Sequence, residues 1–205
     1  MTQRADNEKP AILTAVSSLA ATRLGAGKAV PVLRFLAQFY DHVAADDLAG
    51  RSAEDLYGAA LSLWQFAQER VAGKAKLRAL NPRAASEGWN ARHTIVEIVN
   101  DDMPFLVDSV SMALQAEGVA VHLVIHPVLS VARDRDGRLV DLADSSDGAG
   151  ERESLMHVEI SEVADPARLA AITTRLGAVL EDTHAAVADW RRMRDVLDET
   201  RAALE

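Results

Sequence analysis

The sequence predicts an α+β protein, in which a helical N-terminal part precedes an antiparallel sheet that carries both of its helices on one face. Three observations lead to this fold class. The spacing of apolar residues changes from helical to strand-like near residue 91. From residue 92 the elements follow the order strand, helix, strand, hairpin arm, strand, helix. Asp136-Gly137 is a favoured hairpin turn, and a short hairpin forces antiparallel pairing. This βαββα(β) order is that of a ferredoxin-like sandwich.

Helical spacing dominates the first ninety residues. It predicts helices over 11–24, 31–43 and 52–71. The third has Ser52 as a candidate N-cap and Asp55 three residues later. Residues 80–90 contain Pro, Gly, Ser and Asn, and this composition predicts a linker.

The strands that follow are predicted from β-branched runs and alternation. These strands cover 92–99, 119–132 and 154–163, and the alternation is strict from Val119 to His126. It places Val119, Val121, Leu123 and Ile125 on one face of the sheet. The polar residues 143–153 predict a loop before the last strand.

Two helices accompany these strands. The first covers 104–117 and ends at Gly118, and the second starts with Asp165 as N-cap and Pro166 as its first residue. A closing strand near 181–190 is an alternative to continued helix, but its alanines argue against it. We expect a helical subdomain and linker at 1–90, and a second domain with a C-terminal helical extension at 91–205.

Composition excludes several classes of function. The 205 residues are 49% hydrophobic and 26% charged, as in ordinary globular proteins. The absence of cysteine excludes disulfides, thiolate metal ligands and a cysteine nucleophile. A net charge of −9 without a Lys/Arg cluster argues against a nucleic-acid partner. There is no apolar run of about 18 residues, so we expect a cytoplasmic protein with no membrane contact.

Motifs for metal binding and catalysis are weak. His122 and His126 share one face of a strand, but strand rise separates them by about 13 Å, too far for one metal ion. Ser109 does not lie on a Gly-x-Ser-x-Gly elbow. No Gly-x-Gly-x-x-Gly fingerprint occurs in the sequence. We therefore predict no catalytic residue, no metal and no dinucleotide cofactor in this chain.

Asn100-Asp101-Asp102 is the position with the clearest chemical meaning. It joins a strand end to a helix start, where backbone N–H groups are unpaired and the helix dipole is positive. One interpretation is a turn in which Asp101 or Asp102 caps the helix. The other is a ligand loop, in which free N–H groups bind an α-carboxylate and a side-chain carboxylate binds an α-ammonium.

Three segments then resemble a known family. "IVNDDMPFLVDSV", "VHLVIHPVLSVARDRDGRL" and "ESLMHVEI" are similar to the N-terminal ACT-domain segment of the large, multidomain NAD-specific glutamate dehydrogenases of bacteria. The resemblance is strong over about residues 92–165 and looser in the helical flanks. It implies an ACT-type sandwich that regulates or assembles the enzyme, with NAD bound in a catalytic region that this chain lacks.

The resemblance also implies a binding loop and partners. The candidate amino-acid loop comprises Asn100, Asp101, Asp102, Met103, Pro104, Phe105 and Asp108, and His122 and Leu123 on the neighbouring strand are secondary candidates. Many ligand-binding ACT domains have glycine after the proline, whereas this chain has Phe105 there. The expected partners are other domains and subunits of the same enzyme and a free amino-acid effector.

Three hypotheses follow for the function. The first is a regulatory segment whose paired ACT sheets respond to an amino acid. The second is a purely structural oligomerisation module that binds no metabolite. The third is a freestanding amino-acid sensor, which the fold permits and the resemblance disfavours.

Overall fold

The computed structural model describes residues 2–143 and 150–204. Its helices are Thr2–Leu24 (α1), Ala26–Tyr40 (α2), Ala45–Leu48 (α3), Ala53–Phe66 (α4), Ala84–Glu87 (α5), Leu106–Ala116 (α6) and Pro166–Leu204 (α7). Its strands are Lys76–Leu80 (β1), Thr94–Asp101 (β2), Val121–Ile125 (β3), Val128–Arg133 (β4), Leu139–Ala143 (β5) and Glu151–Ile160 (β6). These elements confirm the predicted α+β fold class and the helical N-terminal part.

All six strands form one antiparallel sheet with the order β1-β2-β6-β4-β5, and β3 also pairs with β6. Strand β6 is central, because β2 lies along one side of it and β3 and β4 share the other side. The pairs Val96–Val158 and Ile98–Met156 set the register of the two central strands.

The edge strand β1 was not predicted. The sequence suggested only helices and a linker before residue 91, and this was wrong for Lys76–Leu80, which pairs with β2. The alternative of a closing strand near 181–190 is also excluded, because α7 is continuous through these residues. An N-terminal strand thus occupies the sheet edge beside β2. The division into two domains at residue 90 stays a prediction.

Helices cover both faces of the sheet. On one face, Val96, Ile98 and Val158 are buried against α6 and α7, which confirms that these two helices share a face. On the other face, Val99 and Leu155 belong to a second core that includes α1, α2 and α4. Because both faces are covered, the central strands β2 and β6 are buried along nearly their whole length.

The predicted strand over 119–132 is interrupted. Pro127, which has no backbone N–H for a ladder, lies between β3 and β4. A register shift also occurs between Val121 and Leu123. Val121 therefore packs on the α6–α7 side and Leu123 on the α1–α4 side, so the predicted common face for these two residues was wrong.

Capping residues close in sequence fix the ends of several helices, as predicted. The Ser52 hydroxyl accepts a hydrogen bond from the Asp55 N–H at 3.0 Å, and Asp165 accepts one from the Ala167 N–H at 3.0 Å. Gly118 follows α6 with a φ of 70°. The loop predicted at 143–153 lies partly outside the described residues, and its end at Glu151–Glu153 belongs to β6.

The α7 helix is long, yet its composition is mixed. Within the described ranges, no helix combines the length and the apolar character that crossing a bilayer requires.

Candidate functional site

The loop between β2 and α6 carries the predicted ligand-binding residues. Asn100 is buried at the end of β2, and its amide Nδ2 donates to the Asp101 carbonyl at 3.0 Å. The Asp102 N–H donates to the Arg152 carbonyl at 2.9 Å, which ties the loop to the first residues of β6. The backbone of the loop is thus fixed by the sheet on one side.

Both carboxylates of the loop have cationic partners. Asp101 accepts a hydrogen bond from the buried guanidinium of Arg70. Asp102 accepts one from the Ser154 hydroxyl at 3.0 Å, and its second oxygen lies 3.2 Å from Nε of Arg152. The side chain of Asp102 is 27% exposed and that of Arg152 is 68% exposed, so this pair faces solvent.

Neither carboxylate caps α6. The residue before the helix is Phe105, which has a φ of 69° and makes no side-chain capping bond. The interpretation of Asp101 or Asp102 as a helix cap was therefore wrong, because arginine side chains hold these groups away from the helix. The first turn of α6 begins without a side-chain acceptor for its backbone N–H groups.

The loop borders a cleft of about 460 Å³, here called the loop cleft. Its lining is formed by Ala72, Gly73, Asp101, Asp102, Met103, Glu151, Arg152, His184, Val187 and Ala188. Three predicted residues, Asp101, Asp102 and Met103, thus come together here with α7. Pro104, Phe105 and Asp108 are exposed and lie outside this lining.

The secondary candidates lie elsewhere. His122 is exposed, its Nε2 lies 3.1 Å from the Ser161 hydroxyl, and its ring stacks on that of His93 with 4.2 Å between centroids. Leu123 lines a different cleft, which also contains His157 and Glu159. The structure therefore separates these two residues from the loop cleft.

Buried ion pairs join neighbouring strands of the sheet, and one of them includes Arg70 in the segment after α4. Glu153 is fully buried, 2.9 Å from Arg70, and accepts two hydrogen bonds of 2.7 Å from Arg133. Glu97, also fully buried, accepts a hydrogen bond of 2.6 Å from Arg78. Such pairs cost desolvation energy and are favourable only when the geometry is close, as it is around Glu153, whereas Oε1 of Glu97 has no hydrogen-bond partner among the described residues.

A third buried carboxylate, Glu159, lies in a second cleft. The Arg51 guanidinium binds it with two hydrogen bonds, one of them 2.9 Å from Nη2 to Oε2. The His157 Nε2 lies 3.7 Å from Glu159 Oε1. Burial alone would raise the pKa of the Glu159 carboxyl, but His157 and Arg51 together lower it to about 2.

This second cleft, here called the His157 cleft, has a volume of about 470 Å³. Its polar lining comprises Arg51, Ser52, Asp55, Asn90, Arg92, His93, His157 and Glu159, and its apolar lining includes Tyr40, Leu56, Trp89, Leu123 and Ile125. It opens on the α1–α4 side of the sheet. The loop cleft and the His157 cleft share no lining residue.

Metal ligands are not grouped in the described part of the chain. No set of three or more His, Asp or Glu side chains there has the geometry to hold an ion. The stacked rings of His93 and His122 lie close together, and burial and the neighbouring imidazole lower the pKa of His93.

Sequence reasoning missed the arginines and histidines of both clefts. Arg70 and Glu153 are 83 residues apart, and Arg51 and Glu159 are 108 residues apart, so no local spacing links them. One signal was present in the sequence. Glu153, His157 and Glu159 are separated by even numbers of positions, so their side chains lie on the same face of β6. This pattern usually marks a solvent-exposed face, whereas here helices cover it.

Comparison with protein families gives a match to the model of the glutamate dehydrogenase ACT1 domain over residues 35–176. This range includes α4, the whole sheet, the His157 cleft and the first part of α7, whereas the α7 residues of the loop cleft lie beyond it.

Similar sequences occur in bacterial NAD-specific glutamate dehydrogenases. That of Halomonas elongata is 40% identical over 186 residues, which cover 90% of this chain and 11% of the relative. That of Pseudomonas aeruginosa is 36% identical over 170 residues, or 82% of this chain and 10% of the relative. A more distant relative from Mycobacterium tuberculosis is 28% identical over 112 residues, or 54% of this chain and 7% of the relative. The chain spans about a tenth of the length of the first two relatives.

Proposed function

The chain belongs to the family of ACT1 domains of glutamate dehydrogenases, and on this premise we propose that it regulates and helps to assemble a large NAD-specific glutamate dehydrogenase. In this proposal, glutamate oxidation and NAD binding take place in other regions of the parent enzyme. The partners of the chain are then other domains and subunits of that enzyme. The acidic net charge of −9 fits a cytoplasmic protein without a nucleic-acid or membrane partner.

The regulatory part of the proposal rests on the loop cleft. A free amino acid would place its ammonium group at Asp102 and its carboxylate near Arg152 or the uncapped first turn of α6. The supporting observation is that the Asp102–Arg152 pair faces solvent, beside a helix start without a side-chain cap. The ligand would replace the ion pair between Asp102 and Arg152. It would therefore bind more tightly to the arrangement of the loop in which this pair is open than to the one in which it is closed.

A purely structural role is the second candidate. The carboxylates of the loop already have protein partners, and large apolar side chains are exposed on α6 and α7. Those on α7 are Trp190, Met193, Val196 and Leu197, all more than half exposed. Exposed apolar side chains in one region of a surface are typical of a contact with another domain or subunit.

A thermal-shift screen against the common amino acids tests the regulatory role, with glutamate, glutamine and aspartate at several concentrations. We expect a saturable rise of the unfolding midpoint for one amino acid, because binding to the native state stabilises it by mass action. Asp102→Ala removes the carboxylate of the cleft and should abolish the rise. Asp46→Ala is the matched control, since Asp46 is exposed on α3 and lies outside the cleft, and should preserve it.

If no amino acid shifts the midpoint of the wild-type chain, the structural role is favoured. Sedimentation equilibrium then tests it directly, because the structural role requires self-association without ligand. Met193→Glu places a charge among the exposed apolar side chains of α7 and should weaken the association. Val30→Glu, at an exposed valine of α2, is the control and should not change it. A chain that stays monomeric at all concentrations would contradict the oligomerisation hypothesis.

A further inference from the structure

The His157 cleft contains a buried polar atom that the protein itself does not satisfy. His157 is 1% exposed, and its Nδ1 has no hydrogen-bond partner among the described residues. Its other nitrogen faces the Glu159 carboxylate at 3.7 Å, and in the neutral imidazole this favours the tautomer with the proton on Nε2. Nδ1 is then an acceptor without a donor, and a buried polar group in this state costs free energy until something donates to it.

The carboxylates that line the same cleft are already engaged. Asp55 accepts hydrogen bonds from the Asn90 N–H at 2.9 Å and from the Ser52 hydroxyl at 2.7 Å. Glu159 is held by both terminal nitrogens of Arg51. Both carboxylates therefore have hydrogen-bond donors within the protein, and the charge of Glu159 is balanced by Arg51.

N–H donors of two guanidinium groups remain available to a ligand in the cleft. A guanidinium has five N–H donors, and Glu159 receives hydrogen bonds from two of those of Arg51, whose side chain is 34% exposed. Arg92 also lines the cleft and is exposed to solvent. These groups favour a carboxylate on the ligand, since planar guanidinium groups bind carboxylates with paired hydrogen bonds.

We propose that the His157 cleft binds a small hydroxycarboxylate, whose carboxylates contact Arg51 and Arg92 and whose hydroxyl donates to Nδ1 of His157. Trp89, Leu123 and Ile125 supply the apolar wall, and the cleft volume of about 470 Å³ is ample for a four-carbon acid. The site is separate from the loop cleft and needs no ammonium group on the ligand.

Malate and succinate are suitable probes, because they have the same two carboxylates and differ by one hydroxyl. We expect isothermal titration calorimetry of the 205-residue chain, at constant ionic strength, to show saturable binding of malate. Succinate should bind about tenfold or more weakly, because it leaves Nδ1 unpaired. Equal affinities, or no saturable binding of malate, would overturn the proposal. A buried water that already satisfies Nδ1 would give one of these two results.

Two variants locate the site. His157→Gln retains an N–H donor for Glu159 but has no group in place of Nδ1, so malate should fall to the affinity of succinate. Arg92→Ala changes an exposed side chain and should weaken both ligands without affecting folding. If His157→Gln keeps the preference for malate, or if Arg92→Ala leaves malate affinity unchanged, the assignment is wrong. Arg92→Ala decides alone if His157→Gln does not fold.

The Asp102→Ala variant tests whether the malate site is distinct from the loop cleft. It should leave malate binding unchanged while it abolishes any response to an amino acid. Loss of malate binding in Asp102→Ala would instead place the ligand in the loop cleft and overturn the inference.

Discussion

Phe105 adopts a backbone conformation that suits glycine better than an aromatic residue. Its φ of 69° lies in the left-handed region, and its side chain is 65% exposed. For a residue with a Cβ atom this region costs roughly 1–2 kcal/mol. We expect Phe105→Gly to raise the free energy of unfolding by roughly 0.5–1 kcal/mol, since the gain is partly offset by the flexibility of glycine in the unfolded chain. Urea denaturation measures this change.

Phe105→Ala is the control for the ring itself. Alanine retains the Cβ atom and so the backbone strain, but it removes the exposed ring. Its free energy of unfolding should stay within about 0.5 kcal/mol of the wild-type value. If Phe105→Gly is instead less stable than wild type, the ring must contribute packing that outweighs the strain.

The lowered pKa of Glu159 predicts that the fold loses stability in acid. Its carboxyl pKa is about 2 in the native state, against an ordinary value of 4.5. Between these pH values the unfolded chain binds more protons than the folded one, so stability from Glu159 is complete above about pH 4.5 and falls as the pH decreases towards 2. Denaturant titrations from pH 6 to about pH 2 should show this loss.

The Glu159→Gln variant should be less stable at neutral pH and should lose less stability across the same acidic range. Other carboxylates will still contribute to acid unfolding in the variant. An unchanged slope between pH 4.5 and 2 would show that Glu159 is not the group that titrates.

At the scale of the element, β6 depends on charges that are buried under the helices. Glu153→Gln removes the negative charge between Arg70 and Arg133 and should cost roughly 3 kcal/mol of unfolding free energy, because it leaves buried cations without full compensation. Glu162→Gln breaks an Arg–Glu pair of 2.6 Å that is about half exposed on both sides. This matched control should cost less than about 1 kcal/mol. Equal costs in urea denaturation would show that burial does not strengthen the dependence on Glu153.

Elements with local signals could be predicted from the sequence, whereas β1 could not. Ser52 and Asp165 cap their helices by accepting hydrogen bonds from residues two or three positions away. The residues that determine these helix starts are therefore close together in the sequence. Strand β1 alternates charged and apolar residues, with Leu77 and Ala79 on the α6–α7 side, but it is only five residues long and all of them are half-buried. Its assignment depends on pairing with β2, because alternation over so few residues does not distinguish a strand from a loop.

The candidate site shows the same division between local and non-local information. The sequence pointed to Asp101 and Asp102 because the strand end and the helix start are adjacent. It did not reveal Arg70, which lies 31 residues before Asp101, or His184 on α7, which borders the loop cleft. Partners that meet only through tertiary structure determine whether a carboxylate is a cap, an ion pair or a ligand contact.

At the scale of the whole molecule, two surfaces suit an assembly role. Strands β1, β3 and β5 have sheet edges, since each pairs with one neighbouring strand in the described ranges. The last turns of α7 extend beyond Val187, which is the most C-terminal buried residue of the described apolar core. Edge pairing and helix docking are therefore distinct ways for the segment to contact the rest of an enzyme.

The position of β6 also determines when the sheet can form during synthesis. β6 is the last strand to leave the ribosome, and β2, β3 and β4 all hydrogen-bond to it. Until Ile160 has been translated, β2 has only β1 as a neighbour, and the apolar surface of the N-terminal helices has no complete sheet to cover it. Nascent chains shorter than this should therefore depend on chaperones, because their contacts between distant residues cannot yet form.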